Sequence, residues 1–225
     1  MYKYLKKEHA VDLLENNGIC IGTLYGYKRM ENNKGRSDEF EGMYIDTIEI
    51  EHLHADEYFE NETIRKNLEG MIEILPDDPN NPSKGNTGSM KNLTIARPRE
   101  SYNCLIFCIS YEKSRTVMEQ FEGAEVCVEI HKPDTFFNLI TWELKKSFGP
   151  SLDFLGIFQI EYDYLYKKRD LYSTPLPPFI TKTLDFAPQK ELRAVWALDD
   201  ESLIDKPFYL HKILGLKKCC RVVEI

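Results

Sequence analysis

Seven short apolar runs constrain the fold of this chain more than any other feature of its sequence. They are YKYL, ICIGTLYGY, MYIDTIEIEHL, NCLIFCIS, AEVCVEI, GIFQIEYDYLY and CCRVVEI. Alternating apolar and polar residues, and continuous apolar runs of this length, are typical of β-strands. In MYIDTIEIEHL the alternation places Tyr44, Asp46, Ile48 and Ile50 on one face. We therefore predict a chain rich in short strands.

Helical patterns separate some of these runs, but not all of them. KEHAVDLLENNG places Ala10, Leu13 and Leu14 on one stripe and offers Gly18 as the stop. PDTFFNLITWELKKSF begins with Pro133, which is favoured in the first helical turn. YEKSRTVMEQF predicts a short helix, while DEYFENETIRKNLEGMIEIL combines helical spacing with a strand-like end, and its pattern leaves the type open. Because strands and helices do not alternate strictly, we predict an α+β fold of mostly antiparallel sheets with short helices.

The length and composition predict a single globular domain over residues 1–225. The chain has 225 residues and is 42% apolar, which is enough to bury a sizeable core. Residues 76–92, PDDPNNPSKGNTGSMKN, are rich in Pro, Asn and Gly and predict a long flexible loop. A second polar loop is predicted for KRMENNKGRSDEFEG.

The net charge and the hydropathy of the chain limit the partners and the compartment that we predict. A formal net charge of −8 opposes non-specific binding to nucleic acid, which requires clustered Lys and Arg. The basic residues of YKYLKK, YKRMENNKGR and YKKRD either converge into one patch or lie scattered among acids, and we favour the second interpretation. No apolar run is long enough for a membrane span or a signal peptide, which predicts a cytoplasmic protein. In that reducing compartment the six Cys are expected to be free thiols.

The sequence offers little for metal or nucleophilic chemistry. His52 and His54 alternate and so share one side of a strand, but no third ligand follows at a supporting spacing, and we predict no metal site. No GxSxG elbow is present, and no Cys lies beside a helix start that would lower the pKa of its thiol. With 37 Asp and Glu, no carboxylate pair stands out as a hydrolase couple.

Three elements carry polar residues that would meet if their strands were neighbours. They are the opening YKYL, the strand that ends at Ser110, and QKELRAVWAL with Gln189 and Glu191. One interpretation is that they line a common cleft. The other is that Glu191 and Arg193, on the same face of a strand, form an ordinary ion pair. From the residues alone we favour the ion pair.

The order of the segments resembles a widespread bacterial family of unknown function. The matching segments are YKYL, LLENNGICIGTLYGY, CLIFCIS, VMEQFEGAEVCVEI, IEYDYLY and ITKTLDFAPQKELRAVW. Family members share a Tyr-Lys/Arg-Tyr opening, a Cys-Phe-Ser strand and a late Lys followed by Glu-x-Glu-x-Arg, where this chain has Gln189 in place of the first Glu. The family occurs in phage-defence settings, so the resemblance implies an antiviral or toxin role, with a partner that neutralises the protein as one option.

A second likeness is to the ADP-ribosyltransferases. YKYL, DLLENNG, FCIS and QKELRAVW are similar to that fold in order and spacing, although Lys3 stands where the family has Arg or His. The resemblance implies an ADP-ribosyltransferase-like fold and NAD as the substrate.

The same resemblance assigns roles to individual residues. Cleavage of NAD builds positive charge on the ribose, which a fixed carboxylate stabilises in the transition state. The likeness gives this role to Glu191 and contact with the acceptor to Gln189. The residues that it assigns to cofactor binding are Lys3, Tyr4, Tyr25, Tyr27 and Ser110. Lys3 would take the pyrophosphate, and Tyr25 or Tyr27 would stack on the nicotinamide.

We therefore expect an NAD-dependent ADP-ribosyltransferase-like effector that modifies a protein or nucleic-acid acceptor. The alternative is a non-catalytic binding or sensing module of the same family. In an enzyme Glu191 would open on a cleft, whereas in a module it would face Arg193 or bulk water. A hydrolytic effector would need carboxylates grouped around a metal, and the sequence does not place such a group.

Overall fold

The computed structural model describes residues 1–29, 39–82 and 85–225. The strands are β1 (Tyr2–Leu5), β2 (Ile19–Thr23), β3 (Met43–His54), β4 (Ser89–Glu100), β5 (Leu105–Ser110), β6 (Val126–Ile130), β7 (Leu152–Gln159), β8 (Glu161–Asp163), β9 (Tyr166–Arg169), β10 (Thr181–Thr183), β11 (Glu191–Leu198), β12 (Phe208–Leu210) and β13 (Cys220–Val223). The α-helices are α1 (Lys7–Val11), α2 (Leu24–Lys28), α3 (Ala55–Glu60), α4 (Glu62–Leu68), α5 (Arg115–Met118) and α6 (Pro133–Phe148). Most strand pairs are antiparallel, which confirms the predicted α+β class.

The chain forms two compact units. Unit 1 contains Met1–Met43, Glu100–Asp163 and Pro178–Ile225, and unit 2 contains Tyr44–Arg99 and Tyr164–Pro177. The single domain predicted over residues 1–225 stays a prediction, because two compact units can still unfold together.

Unit 1 is organised around an eight-stranded sheet. Six strands follow the order β12-β2-β5-β1-β6-β13, and β11 adds to β5 while β7 adds to β11. The end of β5 is the meeting point, because Ser110 lies opposite both Tyr2 of β1 and Glu191 of β11. The three elements that the sequence suggested as neighbours are therefore adjacent in one sheet. A short parallel pair, β8 with β10, completes the unit.

The core of unit 1 lies between one face of this sheet and helix α6. Phe136, Phe137, Ile140 and Leu144 are the buried side of α6, and they join the same core cluster as Trp196 of β11. Alternation along β11 sends its even-numbered residues into this core. Its odd-numbered residues therefore face the other side of the sheet, where the polar groups are collected.

Unit 2 contains the three-stranded sheet β4-β3-β9 and the two helices α3 and α4. β3 and β9 run parallel, with Asp46 opposite Lys167 and Ile48 opposite Arg169. The predicted alternation of β3 is confirmed, since Tyr44, Asp46, Ile48 and Ile50 are all buried.

Two sequence predictions were wrong in detail, and the structure assigns a third segment whose type the sequence left open. The strand predicted for ICIGTLYGY ends at Thr23, whose hydroxyl accepts a hydrogen bond from the Gly26 amide at 2.8 Å and so caps helix α2. The first helix continues as a π-helical turn over Asp12–Asn16 and ends at Asn17, in the left-handed conformation, one residue before the stop predicted at Gly18. The mixed segment DEYFENETIRKNLEGMIEIL forms α3 and α4, and its last residues form no strand.

The structure describes part of each of the two long polar loops. The predicted loop 76–92 is displaced toward the N-terminus, because α4 ends at Leu68 and β4 begins at Ser89. Within it Asn86 is buried and is held by Asp56, which accepts hydrogen bonds from both its backbone and its side-chain nitrogen. Residues 30–38 of the other loop, and residues 83–84, lie outside the described residues.

Expectations about membrane-spanning helices and about the cysteines can be compared with the described residues. No described helix has the length and apolar character that crossing a membrane requires. All six cysteines are free thiols, four of them buried, as the sequence predicted.

Phe136 tests how far the core depends on the buried side of α6. Phe136→Ala should lower the free energy of unfolding by about 3–5 kcal/mol, because it removes a fully buried ring that neighbours cannot replace. Trp142→Ala is the matched control on the same helix, since that ring is 67% exposed, and it should change the value by less than about 0.5 kcal/mol. Urea unfolding measures both. Equal losses in the two variants would contradict the assignment of the buried side.

Candidate functional site

Four charged side chains are buried together where β5, β11 and β10 come close. Glu191 lies between two cations, with Oε1 at 2.6 Å from Arg193 Nε and Oε2 at 2.8 Å from Lys182 Nζ. Glu41 also contacts both cations, at 2.5 Å from Arg193 Nη2 and 3.7 Å from Lys182 Nζ. None of the four side chains is more than 5% exposed. We call Glu41, Lys182, Glu191 and Arg193 the buried ion quartet.

The quartet is electrically balanced and largely hydrogen-bonded. Its two carboxylates match its two cations, which is the condition under which buried charges are tolerated. Lys182 also donates to Gln189 Oε1 at 3.1 Å, and Arg193 Nη1 donates to the backbone oxygen of Phe179 at 2.7 Å. The close contact of Glu41 Oε1 with Arg193 Nη2 lacks the angle of a hydrogen bond, so it acts as an ion pair only.

The quartet fixes the protonation of its members. Burial by itself raises the pKa of Glu191, but the nearby Arg193 and Lys182 outweigh it and hold that pKa well below its usual range. Burial lowers the pKa of Lys182 and Arg193, yet the two carboxylates raise both pKa values overall. All three groups are therefore charged at neutral pH. Nearby, burial raises the pKa of the Cys108 thiol to about 12, so that thiol stays neutral.

The quartet forms part of the wall of a cavity of about 240 Å³ in unit 1. Gln189 and all four members of the quartet line it. The predicted site residues that also line it are Lys3, Tyr4, Tyr27 and Ser110. The sheet thus brings six of the seven predicted residues to one cavity, because the ends of β1, β5 and β11 meet there.

Several of these side chains already have partners inside the protein. Lys3 Nζ donates to the backbone oxygen of Cys108 and lies 4.5 Å from the centroid of the Phe107 ring. The Tyr4 hydroxyl donates to the backbone oxygen of Glu112 at 2.8 Å and accepts from the backbone amide of Ser114 at 3.0 Å. The Ser110 hydroxyl bonds to the backbone at residues 112 and 190. Tyr4 and Ser110 therefore shape the wall more than they offer free hydroxyls.

Tyr25 and Tyr27 have different environments although they share helix α2. The Tyr25 hydroxyl donates to the backbone oxygen of Ser101 at 2.9 Å, and the Tyr25 side chain is not part of the cavity wall. Tyr27 lies on that wall, against Gly22 of β2, where a Cβ would come within 2.4 Å of the Tyr27 ring. Gly22 therefore permits the close approach of this ring. Of the two candidates for stacking, the structure places only Tyr27 at the cavity.

The sequence reasoning missed Lys182 and Glu41 as parts of the site. Lys182 had a usable sign, because the bacterial family pattern has a late Lys before its Glu-x-Glu-x-Arg motif. Glu41 had none, since it belongs to a polar loop and meets Arg193 only through the tertiary fold. Both interpretations of Glu191 hold in part, because it is paired with Arg193 and also lines a cavity.

The comparisons with known proteins give no family assignment. No protein-family model, no curated protein and no solved structure matches this chain. Among the residues that the structure describes, no three His, Cys, Asp or Glu side chains are grouped so that they could hold a metal ion. The function of the cavity has to be inferred from its geometry.

Glu191→Gln tests the balance of the quartet. At neutral pH it should lower the free energy of unfolding by about 3–5 kcal/mol, because it leaves buried cations short of one negative charge. Glu119→Gln is the matched control, since Glu119 pairs with Arg115 on an exposed helix, and it should change stability by less than about 1 kcal/mol.

The same pair of proteins gives a test by pH. The folded-state pKa of Glu191 is lowered, so its stabilisation is present above the unfolded pKa of about 4.3 and is lost as the pH falls through the folded value. The gap in stability between the parent and Glu191→Gln should therefore narrow below about pH 4. Urea unfolding along a pH series measures it, and a gap that widened on acidification would contradict this charge assignment.

Proposed function

We propose that the protein binds a small ligand with an aromatic ring in the cavity of unit 1, and that NAD or its nicotinamide part is the first ligand to test. The observation that carries this proposal is the cavity itself, where the Tyr27 ring and the buried ion quartet share one wall. Ligand pockets typically combine mostly apolar or aromatic walls with a few fixed polar groups.

The size of the cavity limits what can enter it. At about 240 Å³ it lies just below the range of about 300–1,000 Å³ typical of pockets for drug-sized ligands. A ring with an attached sugar suits this volume better than a complete dinucleotide, whose remaining part would stay outside. The Lys3 ammonium on the same wall would favour an anionic group on the ligand.

The charge balance favours binding over catalysis. A catalytic carboxylate must stabilise the positive charge of the transition state more strongly than it stabilises the ground state. Glu191 already neutralises Lys182 and Arg193, so little of its field is left for a developing cation. We therefore place the binding module ahead of the enzyme.

Tyr27→Leu tests the binding proposal. It should weaken the affinity for NAD or nicotinamide roughly tenfold, because stacking on an aromatic ring contributes about 0.5–1.5 kcal/mol beyond the area it buries. Tyr25→Leu is the matched control on the same helix and should leave the affinity unchanged, provided its thermal unfolding shows a folded protein. Isothermal titration calorimetry gives the affinities. Equal weakening by the two variants, or no heat with the parent, would argue against this ligand.

A second candidate is the NAD-dependent ADP-ribosyltransferase-like effector of an antiviral or toxin system. It is favoured by the placement of Glu191 and Gln189 on the cavity wall, two residues apart and joined through Lys182. In this proposal Glu191 faces the ribose of NAD, Gln189 contacts the acceptor, and the acceptor is a protein or a nucleic acid.

Chromatography of free nicotinamide tests this second candidate. The parent, incubated with NAD and a cell lysate as a source of acceptor, should release nicotinamide. Glu191→Asp keeps the charge but withdraws it from the cavity, and it should lower the rate on the order of a hundredfold. Glu119→Asp, on an exposed helix, should release nicotinamide at the parental rate. Absence of release from a folded parent that binds NAD would leave the binding module as the function.

A further inference from the structure

Unit 2 contains a second cluster of charges, and this one is not balanced. Asp46 is buried on β3 and accepts hydrogen bonds from Arg99 Nε at 2.8 Å, Arg169 Nε at 2.7 Å and Arg169 Nη2 at 2.9 Å. A third guanidinium, that of Arg97, has its Nε 3.7 Å from Asp46 Oδ2. In the part of the chain that the structure describes, three cations thus surround one carboxylate, an excess of two positive charges.

The cluster also has more hydrogen-bond donors than acceptors. Arg97 Nε and Arg99 Nη2 are buried and have no hydrogen-bond partner among the described residues. The acceptors in contact with the cluster are backbone oxygens, that of Glu69 for Arg97 and those of residues 170 and 173 for Arg169. Neutral carbonyl groups satisfy donors but do not compensate the excess charge. Buried donors without a hydrogen-bond partner are uncommon in folded proteins, so these two donors require a structural or functional explanation.

Arg97 is the member that the fold needs least. Arg99 and Arg169 give Asp46 three hydrogen bonds and link β3 to β4 and β9, whereas Arg97 makes no hydrogen bond to that carboxylate. Burial and the neighbouring Arg99 lower the pKa of Arg97, while Asp46 acts in the opposite direction. A third cation is explained if something negative binds there.

The cluster is accessible from solvent. The side chains of Arg97 and Arg99 are 24% and 22% exposed, whereas Asp46 is completely buried. An incoming anion would therefore meet guanidinium groups and not the carboxylate. Planar guanidinium groups bind tetrahedral oxyanions through paired N–H donors.

We infer that Arg97, Arg99 and Arg169 form a binding site for a phosphate group in unit 2, where three guanidinium groups surround a single buried carboxylate. The bound phosphate would carry the two negative charges that the cluster lacks, and would accept hydrogen bonds from the exposed part of the Arg97 and Arg99 side chains. This site shares no residue with the cavity of unit 1, so it does not depend on the function proposed there.

Thermal unfolding with inorganic phosphate tests this site. Phosphate at millimolar concentration should raise the midpoint of the parent by a few degrees over chloride at equal ionic strength, because a ligand that binds only the folded state stabilises it. Arg97→Gln should lose this shift, while its midpoint in chloride stays equal to the parent value or rises. Lys66→Gln, an exposed basic residue of the same unit, should keep the shift.

Two further measurements make the result decisive. Titration of the parent with inorganic phosphate and with a simple phosphomonoester, followed by calorimetry, distinguishes a free ion from a phosphorylated ligand as the source of the group. Arg97→Lys keeps the charge but not the paired donors, and it should bind more weakly than the parent. An equal midpoint shift in the parent and Arg97→Gln, or no heat with either compound, would overturn the inference.

Discussion

The buried ion quartet is the interaction on which the sheet of unit 1 and its cavity depend. It joins residues that are far apart in the chain, because Glu41 precedes β3 whereas Lys182 and Arg193 belong to β10 and β11. Charges this deeply buried are tolerated only when each finds a counter-charge, so the three segments that carry the four residues must come together. The apolar core on the other face of β11 supplies the energy of burial, while the quartet specifies the arrangement of the polar face.

The same balance determines what the cavity can do. The cations that keep Glu191 ionised also neutralise most of the charge of its carboxylate. The contacts that fix its charged state therefore weaken its ability to stabilise a positively charged transition state. A ligand that enters next to the quartet meets a wall of fixed dipoles and little net charge. Such a wall selects a ligand by shape and by hydrogen bonds, with Lys3 and Asp12 as charged groups of opposite sign outside the quartet.

Local sequence patterns predicted many of the helices and strands, but they could not predict contacts between residues that are far apart in the chain. Helix α6 follows from Pro133 and its apolar stripe, and β3 follows from strict alternation, because both depend on neighbours in sequence. Helix α2 was missed because tyrosines are common in strands. The Thr23 side chain, which accepts a hydrogen bond from the Gly26 amide, caps the helix and ends the strand. Glu191 and Arg193 were foreseen as a pair since they lie two residues apart. Glu41 meets Arg193 only through the topology, which no local pattern encodes.

The two charge clusters show opposite solutions to the burial of polar groups. In the quartet two carboxylates match two cations, and the donors reach carboxylate oxygens, Gln189 or Phe179, except Arg193 Nη2, which pairs with the charge of Glu41 without a hydrogen bond. Around Asp46, among the described residues, three guanidinium groups share one carboxylate, and two N–H groups have no acceptor there. A chain that balances one buried cluster this closely has no structural reason to leave the other with an excess. The excess is accounted for if the missing charge comes from a molecule that the chain itself does not encode.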